Sequence, residues 1–191
     1  PLSDSLNSYD ILPQALRTTP PGVFWYSLNQ DGFSVKGIQK NEAGWEAFTP
    51  SLASLPSDRL PYLFSLSGVE DPGAIWVEPL ADGEKLFYYD PRLIEDFAIT
   101  SLPSRSGFNQ VDPDASSDAG VAFVWVEDSQ NTTELRLIAG GQEFITDAIA
   151  EPSQPRVIWK NENELLVTVI SDLSLGGTGS LYSIDVTLDS E

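Results

Sequence analysis

Histidine, cysteine and methionine are missing from all 191 residues, and these absences exclude more chemistry than any residue present suggests. Without imidazole or thiol, a Ser-His-Asp triad, a cysteine nucleophile, a His/Cys zinc site, a haem on His or Met and an iron–sulfur cluster all lack their usual groups. What survives is carboxylate, lysine, tyrosine and hydroxyl chemistry, together with oxygen-ligand metals, of which Ca²⁺ suits an acidic chain best. Basic residues are also scarce: 10 Lys and Arg stand against 29 Asp and Glu, a formal charge of −19. The few cations are scattered from Arg17 to Lys160 and form no cluster that could hold phosphates. That excludes nucleic acid, and an anionic membrane surface for the same reason. The longest purely apolar run, Val121–Val126, is far too short to cross a bilayer, so no membrane insertion is expected.

Pro1 opens a chain that contains no methionine, which reads as a processed mature protein or a domain excised from a longer one. The expected location is extracellular or periplasmic, with or without a lipid anchor; the lack of cysteine fits either redox compartment. One glycosylation sequon, Asn131-Thr132-Thr133, falls in a polar loop.

What is present is ordinary globular material. Hydrophobic residues make up 41% and aromatics 10%, so the charge belongs to the surface and does not signal disorder. Helical periodicity is nearly absent, and 14 Pro and 14 Gly are spread along the chain, which leaves few windows for three helical turns. The fold class is therefore all-β. Four hairpins carry the signal, each an apolar or alternating run, a polar turn and a second alternating run. They pair Gly22–Leu28 with Phe33–Gln39, Gly73–Leu80 with Glu84–Tyr89, Gly120–Val126 with Leu135–Ala139, and Leu165–Ser171 with Ser180–Val186. The loop of the third spans Glu127–Glu134.

Counted from Gly22, Gly73, Gly120 and Leu165, the hairpins recur at 51, 47 and 45 residues, the signature of a repeat. Trp25 and Trp76 each lie three residues after the starting glycine and Trp125 five after, offsets of one parity that put the three rings on one face, where they fill the apolar gap between neighbouring sheets or form an aromatic platform for a sugar or peptide. Trp45–Phe48, Glu95–Ile99 and Glu143–Asp147 follow the first three hairpins as outermost strands. The Pro-rich and acidic stretches at 49–61, 90–108 and 150–155 hold the connections. Residues 1–21 lack the repeat pattern and form a lead-in or a ring-closing strand before the repeat domain of 22–191.

The third and fourth repeats resemble the TolB-type, PD40 or WD40-like, β-propeller repeat. The resemblance is carried by Asp112–Gly120, Val121–Val124, Glu134–Ile138 and Gly140–Glu143, and again by Pro155–Val167 and Ser180–Val186. It covers about 80 residues well and the first half in outline. The family's Ser-Pro-Asp-Gly turn is replaced by Lys160-Asn161-Glu162-Asn163 in the fourth repeat and interrupted in the third. The resemblance implies a propeller-like array of four repeats; a β-sandwich is the alternative.

Among groups that could carry chemistry, Asp112, Asp114, Ser116 and Asp118 form the densest oxygen-ligand cluster. Oxygens at every second position can wrap Ca²⁺, although Ser117 stands where an EF-hand turn has Gly and Phe123 where it has a bidentate Glu; the competing reading is a turn capped by Asp side chains. Glycoside hydrolysis needs only two carboxylates, but Glu70-Asp71 and Glu95-Asp96 are neighbours that point to opposite strand faces, and Glu162/Glu164 lie in a turn. No nucleophile elbow, phosphate loop or dinucleotide fingerprint occurs. The expected function is a non-enzymatic binding or scaffold module of an exported acidic protein, meeting a protein or glycan through its loops, with a basic partner favoured. The alternative is a carbohydrate-active enzyme or lectin-like domain using a carboxylate pair and exposed tryptophan, with Trp45 and Trp159 as the candidate ligand-binding rings.

Overall fold

The computed structural model describes residues 9–29, 32–52, 60–66, 68–93, 99–171 and 179–189. Among these the chain forms strands and no helix, as the missing 3.6-residue periodicity predicts. The strands are β1 (Tyr9–Leu16), β2 (Gly22–Asn29), β3 (Gly32–Asn41), β4 (Gly44–Phe48), β5 (Tyr62–Phe64), β6 (Gly73–Leu80), β7 (Gly83–Tyr89) and β8 (Ile99–Ser101). They continue as β9 (Asn109–Ser116), β10 (Ala122–Asp128), β11 (Thr133–Ala139), β12 (Gln142–Thr146), β13 (Pro152–Asn161), β14 (Glu164–Ser171) and β15 (Ser180–Thr187). Four antiparallel meanders follow in chain order: β1-β2-β3-β4, β5-β6-β7-β8, β9-β10-β11-β12 and β13-β14-β15.

The four anticipated hairpins are the β2/β3, β6/β7, β10/β11 and β14/β15 pairs. The third is tighter than its sequence suggests, because pairing continues through Glu127↔Glu134 to Asp128↔Thr133, where Thr133 Oγ1 donates to Asp128 Oδ1 at 2.9 Å. The outermost strands expected at Trp45–Phe48 and Glu143–Asp147 are β4 and β12. Of Glu95–Ile99 only Ile99 lies within the described residues, where it begins β8. Residues 9–16 of the N-terminal segment form β1 and pair with β2 in the first sheet.

Three of the four strands that open the sheets share a construction. β1, β9 and β13 are edge strands, and each carries a proline at a break in register: Pro13 between Ile11 and Gln14, Pro113 beside Asp112, and Pro155 between Ser153 and Arg156. Proline has no N–H for a ladder, so an edge position at a bulge accommodates it. Asp112 and Gln154, the residues before two of these prolines, adopt positive φ of 51° and 47°.

Two of the repeat-starting glycines, Gly22 and Gly73, lie against aromatic rings. Phe24 is the cross-strand partner of Gly37, and its ring also lies over Gly22: a Cβ would come within 2.8 Å of it at Gly37 and 2.6 Å at Gly22. Phe64 is the cross-strand partner of Gly73, and a Cβ there would overlap the ring. A side chain at these positions would displace a buried aromatic group from its slot.

The chain divides into two compact units, residues 1–76 with 88–100, and residues 77–87 with 101–191. In the first, sheet-to-sheet contacts are fixed by Thr19 N–H donating to Val69 O at 3.0 Å and Gln39 Nε2 to Glu70 O at 2.8 Å. The buried Tyr26 hydroxyl donates to Pro61 O and accepts from Gln14 Nε2. Burial pushes the Tyr26 phenol pKa well up, against the opposing pull of Gln14. In the second, Val124, Val126, Leu135 and Leu137 of the third sheet pack with Val157, Leu165, Val167 and Val169 of the fourth. Trp25, Trp76 and Trp125 are all buried, each on the second strand of its sheet.

Candidate functional site

The most elaborate polar construction lies on one face of the third sheet, opposite the apolar face just described. Side chains alternate along a strand, so Trp125 and Glu127 of β10 share this face with Glu134 and Arg136 of β11 and Glu143 of β12, where pairing sets Trp125 opposite Arg136 and Glu127 opposite Glu134. Glu127 is 0% exposed. Its Oε1 accepts from Arg136 Nη1 at 2.9 Å, Gln110 Nε2 at 3.3 Å and Trp125 Nε1 at 3.4 Å, and its Oε2 accepts from Arg105 Nε at 2.8 Å. Arg105 Nη2 reaches Glu134 at 2.5 Å, and Arg136 Nη2 reaches Glu143 at 2.6 Å.

Further groups tie this cluster to the β6/β7 hairpin. The buried Gln110 accepts from Leu86 N–H at 2.9 Å and donates to Pro103 O at 2.7 Å, while Lys85 Nζ donates to Arg105 O at 3.3 Å. The Arg105 guanidinium stacks over Phe108 at 3.8 Å. Burial favours the neutral form of Glu127, but the hydrogen bonds and charges of Arg136 and Arg105 outweigh it and hold the carboxyl below its ordinary range. Glu127 is thus an ionised, fully coordinated anion. It has neither the raised pKa of a general acid nor a free oxygen for a substrate.

The Asp112–Asp118 cluster lies mostly on β9, a strand, where the turn reading had placed a loop. Pairing with β10 overrides the turn preference of Asp and Pro, and the bulge at Asp112-Pro113 absorbs the missing N–H. Asp114 is buried, and its Oδ2 accepts from Val157 N–H at 2.8 Å; the exposed Asp112 accepts from Gln154 N–H at 3.2 Å. Ser116 is half-buried, and Asp118 lies exposed beyond the strand. Two of the four oxygen groups therefore cap backbone N–H groups on the edge of β13. Among the described residues no three acidic side chains converge as a metal site.

Trp45 is 54% exposed on the edge strand β4. Trp159 is half-buried against the core, and its Nε1 donates to Gly120 O at 2.8 Å, so its polar end is already engaged. Of the carboxylate pairs, Asp71 accepts from the Ser51 N–H at 3.1 Å and Ser51 hydroxyl at 2.5 Å, and Glu164 accepts from Asn161 Nδ2 at 2.8 Å. Glu95-Asp96 lies outside the described residues.

Sequence reasoning did not find the groove between the outer strands of the third and fourth sheets. It has a volume of about 300 Å³ and is lined chiefly by Leu137, Phe144, Ile145, Val167, Ile184 and Val186. Ile184 and Val186 alternate on β15, and Phe144 lies on β12, but only the packing of two sheets brings them together. Among the described residues no helix is long and apolar enough to cross a membrane. In comparisons with known proteins, no protein family and no curated protein matches the chain.

Proposed function

We propose that this chain is a non-enzymatic binding module of an exported acidic protein, built from four propeller-like repeats and meeting a basic protein. The observation that carries this reading is the state of Glu127. The most buried and most heavily coordinated carboxylate of the third sheet is an ionised strut, a role in holding sheets together that leaves no proton to transfer. Four successive antiparallel meanders support the blade-like part of the reading. The net charge of −19 supports the basic partner, because such a field speeds encounter with cations.

The test is the association rate with a lysine-rich polypeptide at rising ionic strength. The rate should fall by about tenfold or more between low and physiological salt. A rate indifferent to salt overturns the electrostatic part of the proposal.

A second reading, a glycan-binding or carbohydrate-active domain, is favoured by Trp45, whose exposed ring could stack on a sugar. Quenching of tryptophan fluorescence by oligosaccharides, lost in Trp45→Ala, would support it.

A further inference from the structure

Among the described residues the fourth sheet has three strands where the others have four, and its third strand registers the difference. β7 and β11, third in their own sheets, are bordered by β8 and β12 and have no exposed position. In β15 six of eight residues are exposed, and Leu181 is 74% exposed. Among the described residues no strand pairs with the outer edge of β15, which presents a straight run of eight residues. Beside it lies the apolar groove, floored by Phe144, Val167, Ile184 and Val186. A long unbroken edge next to an apolar trough is the geometry that accepts an added strand, with the ladder supplying affinity and alternate side chains entering the trough.

The charges around this edge select the occupant. Asp185 on β15 is exposed, with Lys160 Nζ 3.2 Å away. Asp147 directly follows β12 and Asp189 closely follows β15; both are exposed and form no ion pair among the described residues. Arg136 is buried and committed to Glu127 and Glu143 on the opposite face of β11, so it brings no free guanidinium to the groove. A second copy of this chain would bring the same acidic residues and another −19 to the edge. We infer that the outer edge of β15 and the adjoining groove bind an extended, basic segment of a partner protein as a fourth antiparallel or parallel strand, its alternate apolar side chains filling the groove. The inference deepens the proposed function and rests on the partner's being basic.

The probe is an eight-residue peptide of alternating lysine and valine, blocked at both ends. A version N-methylated at alternate residues keeps its charge but cannot complete a ladder. Binding is read by fluorescence anisotropy and by amide hydrogen exchange of the full chain. The parent peptide should slow exchange of the outward-facing amides of Ser180–Thr187 and bind about tenfold or more tighter than the methylated one. The double variant Leu181→Lys with Asp185→Lys, both exposed positions, should weaken binding by a similar factor while leaving the melting temperature near that of the parent. Equal binding of the two peptides, or binding without protection of β15, overturns the inference while leaving a basic-partner module intact. Failure of both peptides and of polylysine to bind at low salt overturns the proposed function as well. Protection of β15 without peptide, in a dimer seen by sedimentation, would assign the edge to self-association and overturn the inference.

Discussion

Glu127 and Glu134 stand directly opposite one another on β10 and β11, and the like-charged pair holds because Arg105 donates from Nε to one and from Nη2 to the other. Two carboxylates in a cross-strand pair repel. The cation between them turns this repulsion into a clamp that brings the 103–108 segment onto the third sheet.

Removing the centre of this network should be severe. Glu127→Ala leaves Arg136, which is buried, and Arg105 facing an empty anion site, and the expected loss is about 3–5 kcal/mol of folding stability. Urea denaturation measures it. A loss below about 1 kcal/mol would show that the arginines find new partners at little cost.

The same carboxylate should leave a mark on the acid limb of stability. Glu127 is held below its ordinary value of 4.5, so the unfolded chain takes up its proton first. Its contribution is complete above about pH 4.5 and is lost as pH falls through the lower folded value. Asp90 behaves alike: burial opposes its ionisation, but the bonds from Arg92 prevail and hold it below 3.8. In Glu127→Gln the stability profile between pH 5 and pH 3, about the window in which these carboxyls titrate, should be flatter than in the parent. Chemical denaturation at stepped pH checks this, and parallel profiles would contradict it.

Gly73→Ala tests the fit of ring to glycine. The new methyl group would overlap the Phe64 ring, which is buried and can shift only by disturbing its neighbours. A destabilisation of about 1–3 kcal/mol is expected. The double variant Gly73→Ala with Phe64→Leu should cost less than the two single changes added together, a coupling that a double-mutant cycle reads directly.

Asp114→Ala distinguishes a backbone cap from a metal ligand. The substitution strands the Val157 N–H in a buried setting, so about 1–3 kcal/mol should be lost with or without calcium. The parent's melting temperature should be the same in excess Ca²⁺ and in chelator. A rise with Ca²⁺ that Asp114→Ala abolishes would instead assign the oxygens of Asp112, Asp114, Ser116 and Asp118 to the ion.

The hairpin strands were legible because each is an apolar or alternating run beside a polar turn: β10 is a continuous apolar run, β14 alternates between buried and half-buried positions, and no proline disturbs either. The opening strands were harder to see. Pro13, Pro113 and Pro155 carry turn chemistry, and only an edge position with a bulge lets such a segment remain a strand. The Glu127 cluster was hidden for another reason. Its members are separated by up to 38 positions, from Arg105 to Glu143, and nothing in the local pattern around any one of them marks it as buried.

The sequence by itself determined the class of the fold and the limits of its chemistry. Period-two alternation and dispersed Pro and Gly permit strands and not helices, and a chain without His, Cys or Met lacks the groups that most active sites use. Tertiary structure decided what the charged residues do. Whether a carboxylate is a ligand, a cap or a strut depends on which backbone N–H or guanidinium the packing of sheets brings to it. It was sheet packing that aimed Asp114 at Val157, enclosed Glu127 between two arginines, and set an apolar groove beside β15.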